Sequence, residues 1–130
     1  LAYLKALPIY KIITVEGEQY FLTHSGYNAD YAVQDPETGL VDIRKSVDQA
    51  AAADMERYLF SDDIHFIPAS VRFDRKIIVG HYPVIFLPDH GTARIYHGSR
   101  YTDIDTGNER RDAGGRLSCL RLDDGREFYV

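Results

Sequence analysis

The sequence predicts a single α/β (α+β) domain that is built mostly of short strands and has one long helix. Three observations predict it: a β-branched hairpin pattern near the start, one capped helical stretch, and short apolar segments separated by glycines after residue 75. The chain has 130 residues, a common size for one domain, and 45% of them are hydrophobic. No repeat or composition shift divides it, so residues 1–130 are treated as one unit.

A β-hairpin is predicted over residues 11–24. Residues 11–15 are rich in β-branched side chains, a turn with glycine follows, and residues 19–24 resume the extended pattern. Ser25 and Gly26 then end the second strand. Residues 25–45 contain turn-forming residues without a sustained period, and we expect a loop there.

The long helix is predicted over residues 46–60. Ser46 is a favourable N-cap, and Gln49 three residues later completes a capping box. Apolar side chains then recur at spacings of three and four, which indicates a face packed on the sheet. The members of that face are Val47, Ala51, Met55, Tyr58 and Leu59.

Five short strands are predicted after residue 75. Their ranges are 76–79, 94–96, 101–105, 116–122 and 127–130. Cys119 lies inside one of these apolar runs, so we expect it to be a small core residue. A single cysteine cannot form an internal disulfide and fits a reducing compartment, which predicts a cytoplasmic protein.

The charge balance and the hydropathy pattern exclude several classes of partner. Fifteen basic and twenty acidic residues give a net charge of −5, which disfavours general nucleic-acid binding. No stretch approaches the roughly 20 apolar residues of a membrane span, and no signal-peptide pattern is present. We therefore expect neither nucleic acid nor membrane as a partner.

Two of the five histidines occupy positions typical of metal ligands. His24 and His81 each stand where an apolar strand pattern ends in small residues, and functional groups gather at such strand ends. Imidazole binds transition metals such as Zn, Fe and Mn. Because a catalytic metal takes three or more protein ligands, the pair predicts only a partial metal site.

The remaining polar candidates are expected to have structural roles. His65, His90 and His97 lie in loops or turns, where a solvated or hydrogen-bonded side chain is expected. Asp103 and Asp105 alternate along a strand, so they could perform acid–base chemistry, but binding of turn amides is the favoured interpretation. The Arg110-Arg111 pair is interpreted as a solvated loop.

Four segments carry a family resemblance. Residues 20–26 read YFLTHSG, residues 77–83 read IIVGHYP, and residues 104–107 and 114–122 read IDTG and GGRLSCLRL. In this order, with Leu7-Pro8 ahead of them, they resemble the calcineurin-like metallophosphoesterases, specifically the bacterial serine/threonine protein phosphatases. The resemblance spans nearly the whole chain.

The resemblance implies a fold and a chemistry. The family fold is two mixed sheets packed face to face, and this chain would be its carboxy-terminal half. Two divalent transition metals (Mn, Fe or Zn) activate a hydroxide that attacks phosphorus in a phosphoprotein or a small phosphoester. The family's matching histidines bind one of these ions, which assigns His24 and His81 as ligands of one metal.

Two departures from the family pattern qualify what the chain can do. In the family, the Asp-x-His, Gly-Asp-x-x-Asp and Gly-Asn-His-[Glu/Asp] motifs, which supply the other ligands and the catalytic acid, lie ahead of the segment that Leu7-Pro8 resembles, and this part of the family pattern is not found there in the chain. We therefore expect a partial domain from a longer protein, with no catalytic residue, no known substrate-binding residue and no activity by itself. The family has a Trp-x-Arg motif here whose arginine binds the phosphate. In this chain residues 59–63 stand in its place and read LFSDD, without an arginine.

Two alternative functions remain open at this stage. A symmetrical dinucleoside polyphosphate hydrolase shares the same motifs. A non-catalytic interaction domain could also retain the fold, and the missing arginine favours that reading. A half-domain would expose a sheet edge or face, which predicts a homodimer through that surface.

Overall fold

A five-stranded mixed sheet forms the centre of the α+β fold in the computed structural model, which describes residues 1–130. Its strands are β1 (Tyr10–Val15), β2 (Glu18–Thr23), β3 (Lys76–Val79), β4 (Tyr96–His97) and β5 (Tyr101–Asp103), in the order β1-β2-β3-β5-β4. The three central strands run parallel to one another, and the two edge strands are antiparallel to their neighbours. The predicted α+β class is confirmed.

The β1–β2 hairpin forms as the sequence predicts. Val15 pairs with Glu18, so the loop between them has two residues. Both loop residues, Glu16 and Gly17, have positive φ (50° and 82°), as the tight turn of a twisted hairpin requires.

The prediction of one long helix over residues 46–60 is wrong in its bounds and in its continuity. The structure has α1 (Ala2–Lys5), α2 (Ile43–Ala53) and α3 (Met55–Phe60). The N-cap of α2 is Asp42, whose carboxylate accepts from Lys45 N at 3.0 Å, so the helix begins inside the predicted loop. Asp54 is extended (φ −158°, ψ 96°) and caps α3, and the two helices are therefore separate.

Ser46 is therefore a residue inside α2 and not its cap. Its hydroxyl donates to Asp42 O at 2.7 Å and accepts from Val33 N at 2.9 Å, so it ties the preceding loop to the helix. Met55, expected on the buried face, is 44% exposed, because the break at Asp54 changes the register of that face.

One hydrophobic core lies between α2, α3 and one face of the sheet. Its strand residues are Phe21, Ile77, Val79 and Tyr101, and its helical residues are Ile43, Val47, Ala50, Ala51 and Tyr58. The strand members alternate along β2, β3 and β5 with residues of the opposite face, as the two-residue period requires. The core positions these three strands and fixes where their ends lie.

A small second sheet closes the chain. Strands β6 (Ser118–Leu120) and β7 (Glu127–Tyr129) pair antiparallel, close to the predicted ranges. Cys119 lies on β6 but is exposed, so the expectation that it is a core residue is wrong. A two-stranded ribbon has one face open to solvent, and Cys119 is on that face.

Four short 3-10 helices connect these elements: Ala29–Tyr31, Ile64–Phe66, Val84–Phe86 and Asn108–Ala113. No helix is long and apolar enough to cross a membrane.

Candidate functional site

Three parallel strands bring the candidate residues to one end of the sheet. His24 directly follows β2, His81 follows β3 after a single glycine, and Asp105 follows β5 by two residues. Because β2, β3 and β5 are parallel and adjacent, their carboxyl ends meet at the same edge. The sequence placed each histidine at a strand end, and the topology makes those two ends neighbours.

The two histidine rings meet face to edge. Nδ1 of His81 lies 3.0 Å from Nε2 of His24, and the ring centroids are 4.8 Å apart at an angle of 65°. A backbone hydrogen bond of 2.9 Å from Gly80 N to His24 O joins the two strand ends directly. The strand pairing therefore fixes the relative position of the two side chains.

The backbone of His81 is strained. Its φ is +68°, and only two other non-glycine residues, Glu16 and Asp89, have a positive φ. His81 also lies in a turn, which a hydrogen bond of 2.8 Å from Tyr82 N to Gly80 O closes directly after the buried strand β3. Left-handed conformations of non-glycine residues cost free energy and concentrate at functional sites.

The electrostatics of His24 favour the neutral imidazole. Partial burial lowers its pKa, and the neighbouring His81 lowers it further, while the carboxylate of Asp105 acts in the opposite direction. His24 is thus neutral at pH 7. A neutral imidazole is the form that coordinates a metal ion.

The spacing of the His24–His81 pair is compatible with two ligands of one metal ion. Two nitrogen atoms that bind one ion at about 2.1 Å and an angle of about 90–109° are roughly 3.0–3.4 Å apart. The observed 3.0 Å fits that spacing. No group of three or more His, Cys, Asp or Glu side chains is arranged to hold a metal, so the pair by itself is an incomplete site.

The two aspartates that the sequence singled out hold turns. Asp103 Oδ1 accepts from Asp105 N at 2.8 Å, and Asp105 Oδ1 accepts from Gly107 N at 3.0 Å. The favoured interpretation, binding of turn amides, is confirmed. The backbone carbonyl of Asp105 also accepts from Val84 N at 2.9 Å, which ties this turn to the loop after His81.

A buried Asp63–His65–Asp103 cluster lies beside this end of the sheet. The His65 side chain is fully buried, with Nε2 2.6 Å from Asp103 Oδ2 and Nδ1 bonded to Asp63. Burial by itself lowers the pKa of His65, but the hydrogen bonds with Asp103 and Asp63 outweigh it and raise the pKa to about 9. Burial raises the pKa of Asp103, although its bond to His65 opposes that.

This cluster was only partly visible in the sequence. A hydrogen-bonded structural role for His65 is confirmed, but its burial between two carboxylates was not anticipated. The Asp-x-His spacing of residues 63–65 is the local signal. The second carboxylate comes from β5, 38 residues away, and only the fold brings it close.

The remaining polar candidates are structural, as expected. His90 Nε2 donates to Arg94 O at 2.8 Å, and His97 pairs with Glu127 at the surface. Arg110 and Arg111 are both exposed. Arg110 pairs with Asp112, and Arg111 donates to Asn108 Oδ1 at 2.7 Å.

The acidic stretch that replaces the family's Trp-x-Arg is built into the structure. Asp62 is 7% exposed, accepts from Asn28 Nδ2 at 3.0 Å and lies 3.3 Å from Arg57 Nε. It therefore anchors the loop after α3 instead of presenting a positive charge to a phosphate.

An apolar groove lies next to His24. Its volume is about 430 Å³, and its apolar lining residues are Leu4, Leu7, Pro8, Ile9, Tyr10, Leu22 and Leu59. The side chains of Leu4 and Leu7 are 63% and 48% exposed, so α1 and the segment after it cover the groove incompletely.

No protein-family model matches the chain, and no curated protein matches it significantly.

Proposed function

We propose that this chain is part of a metal-dependent phosphoesterase of the serine/threonine protein phosphatase type, in which His24 and His81 bind one of two divalent metal ions. The observation that carries the proposal is the approach of His81 Nδ1 to 3.0 Å from His24 Nε2 at the carboxyl end of two parallel strands. The backbone of His81 supports it, because His81 is the central residue of a tight turn closed by the Tyr82 N to Gly80 O hydrogen bond of 2.8 Å, and the positive φ of this turn costs free energy at a non-glycine residue.

The residues of this chain would hold and orient one metal ion. Bound Mn, Fe or Zn would supply a hydroxide nucleophile and neutralise phosphoryl charge. The Gly80–His24 backbone bond sets the spacing of the ligand pair, and the Asp105 turn braces the loop that carries His81. The other ligands and the catalytic acid would come from outside residues 1–130, so the chain alone is expected to be inactive.

The proposed substrate is a phosphoprotein or a small phosphomonoester, in the cytoplasm. No residue of the chain is assigned to substrate binding.

Metal titration tests the ligand pair without depending on activity. Calorimetric titration with Zn²⁺ should show one weak site, and both His24→Ala and His81→Ala should abolish it. His90→Ala is the matched control, because His90 bonds only to a backbone carbonyl and should leave the site intact. Zinc binding that survives both substitutions would refute the assignment.

The activity is tested on a longer protein that includes the missing motifs. With added Mn²⁺ it should hydrolyse a chromogenic phosphomonoester, and His24→Ala or His81→Ala should reduce the rate at least about 100-fold, because metal activation of water and charge neutralisation are lost together. A panel that includes dinucleoside polyphosphates separates the two hydrolase alternatives. Turnover by residues 1–130 alone that is lost in the His81→Ala variant would contradict the proposal that the other metal ligands and the catalytic acid lie outside these residues.

A non-catalytic interaction domain is the second candidate. Asp62 favours it, since the loop that would need a phosphate-binding arginine is anchored by a buried carboxylate. This candidate predicts that the longer protein binds no stoichiometric metal. Two transition-metal ions per chain would eliminate it.

The homodimer stays a prediction. Its interface would include the apolar groove beside His24, and sedimentation velocity should then show a dimer that Leu4→Glu dissociates. A monodisperse monomer would count against it.

A further inference from the structure

A second cleft lies at the opposite end of the sheet from the histidine pair. It has a volume of about 640 Å³ and is formed by segments 17–20, 72–78 and 97–102, which contain the starts of β2, β3 and β5. We call it the basic cleft. The length of β3, four residues or about 13 Å, separates it from the His24–His81 edge.

The basic cleft is positive in an acidic protein. Its lining has four basic residues, Arg72, Arg75, Lys76 and Arg100, and two acidic residues, Glu18 and Asp74. With neutral histidine its charge is +2, whereas the whole chain carries −5. A local excess of this sign against the overall charge attracts anions selectively to this cleft.

Both acidic residues of the cleft are already paired. Asp74 Oδ2 lies 2.9 Å from Arg75 Nη1, and Glu18 Oε1 lies 3.7 Å from Lys76 Nζ. Nε of Arg75 donates to Gln19 Oε1 at 3.0 Å, so this guanidinium is largely used within the protein. The excess positive charge therefore belongs to Arg72 and Arg100.

Arg72 and Arg100 are held in place by backbone carbonyls and not by carboxylates. Arg72 Nη1 donates to Ala69 O at 2.6 Å and to Val71 O at 3.1 Å. Arg100 Nη1 donates to Pro68 O at 2.7 Å. Carbonyl bonds fix a guanidinium without neutralising it.

The same edge of each guanidinium stays free. Neither Nε nor Nη2 of Arg72 or Arg100 has a protein partner, and the edge formed by these two atoms binds phosphate with two parallel hydrogen bonds. The carbonyls that hold them, Pro68 O and Ala69 O, belong to consecutive residues of one turn, closed by a Val71 N to Pro68 O bond of 3.1 Å. This turn holds both arginines, and both of them line the basic cleft.

We propose that the basic cleft is a binding site for the phosphate group of a small phosphorylated ligand, with Arg72 and Arg100 as its two anchoring residues. A phosphate dianion has enough acceptor oxygens for two guanidinium edges at once, whereas a single carboxylate has two oxygens and satisfies one. A volume of about 640 Å³ is in the range of small-molecule sites, so the cleft has room for a ligand larger than phosphate itself. The site is separate from the histidine pair and does not depend on it.

Inorganic phosphate is the probe for the test. It is titrated at constant ionic strength, with EDTA present, while amide and arginine Nε–H resonances are followed by NMR. Saturable shifts are expected at residues 72–78 and 97–102, and acetate should produce much weaker ones. Arg72→Gln and Arg100→Gln should each weaken binding about 10-fold or more, since each removes charge-assisted hydrogen bonds.

Controls separate the site from general charge and from loss of structure. Arg44→Gln removes an exposed arginine of α2 and should not change phosphate binding, and neither should His81→Ala. Ser99→Asp places a negative charge in the cleft at an exposed residue without a hydrogen-bonding role, so it should weaken binding even if an arginine variant fails to fold. The proposal is overturned if shifts do not saturate, if they centre on the histidine pair, or if Ser99→Asp binds phosphate as the unchanged protein does.

Discussion

Replacing His65 with alanine should destabilise the protein by about 3–5 kcal/mol at pH 7, the usual cost of removing one partner from a buried ion pair. The side chains of His65 and Asp103 are fully buried and bonded to each other at 2.6 Å. Alanine would leave the Asp103 carboxylate buried next to a cavity. That loss is a large part of the 5–15 kcal/mol that holds an ordinary domain folded.

The pKa of His65 gives an independent magnitude. It rises from 6.5 to about 9, and each pKa unit corresponds to about 1.36 kcal/mol, so the protonated ring contributes about 3 kcal/mol. Because the folded-state pKa is the higher one, this contribution is complete below pH 6.5 and is lost as the pH rises through 9. The lowered pKa of His24 changes the free energy of unfolding mainly below pH 6.5. The raised pKa values of Tyr58 and Tyr101, about 12, change it mainly above pH 10. The window between pH 6.5 and 9 therefore reports on His65.

Urea unfolding between pH 6 and 9.5 measures both quantities, with the free energy of unfolding extrapolated to water at each pH. The unchanged protein should lose about 3 kcal/mol between pH 6.5 and 9, and His65→Ala should lack this pH dependence. His97→Ala is the control, because the exposed His97–Glu127 pair should contribute less than about 1 kcal/mol.

Either of two results would refute this reasoning. One is a His65→Ala variant that loses less than about 1 kcal/mol at pH 7, which would mean that the cluster is not ionic in the folded protein. The other is a stability that stays flat between pH 6.5 and 9 in the unchanged protein. The second measurement needs no variant, so it remains decisive if His65→Ala does not fold.

The remaining predictions concern packing and capping. Gly26→Ala should lower the free energy of unfolding by about 1–3 kcal/mol, because a Cβ there would come within 3.0 Å of three ring atoms of Tyr58, and urea unfolding would show it. Asp42→Ala should cost about 1 kcal/mol by removing the N-cap of α2, measured in the same way. Gln49→Ala should lower the free energy of unfolding by less than about 0.5 kcal/mol. If it lowered this free energy more than Asp42→Ala does, the result would favour Ser46 as the N-cap of the helix.

Much of the sheet could be predicted from local patterns. The hairpin turn at Glu16-Gly17 and the apolar run at residues 76–79 are strong short-range signals, and both strands of the hairpin and β3 form there. Helix bounds were less predictable. Asp42 and Ser46 are both good caps, and the choice of Asp42 depends on a contact of the Ser46 hydroxyl with Val33 N, which lies outside the helix.

The exposure of Cys119 could not be predicted from local sequence patterns either. An apolar run indicates a strand, but it does not say which face of that strand is covered. In the β6–β7 ribbon only one face can be covered, and Cys119 lies on the other.

The positions of His24 and His81 at strand ends follow from the amino-acid pattern alone, because hydrophobic period and turn residues are local properties. That those two strand ends are neighbours follows only from the folded sheet, since parallel pairing joins residues 57 positions apart. The same holds for the Asp63–His65–Asp103 cluster and for the two arginines of the basic cleft. Strand order and register, which the shared core fixes, bring these groups together across the chain.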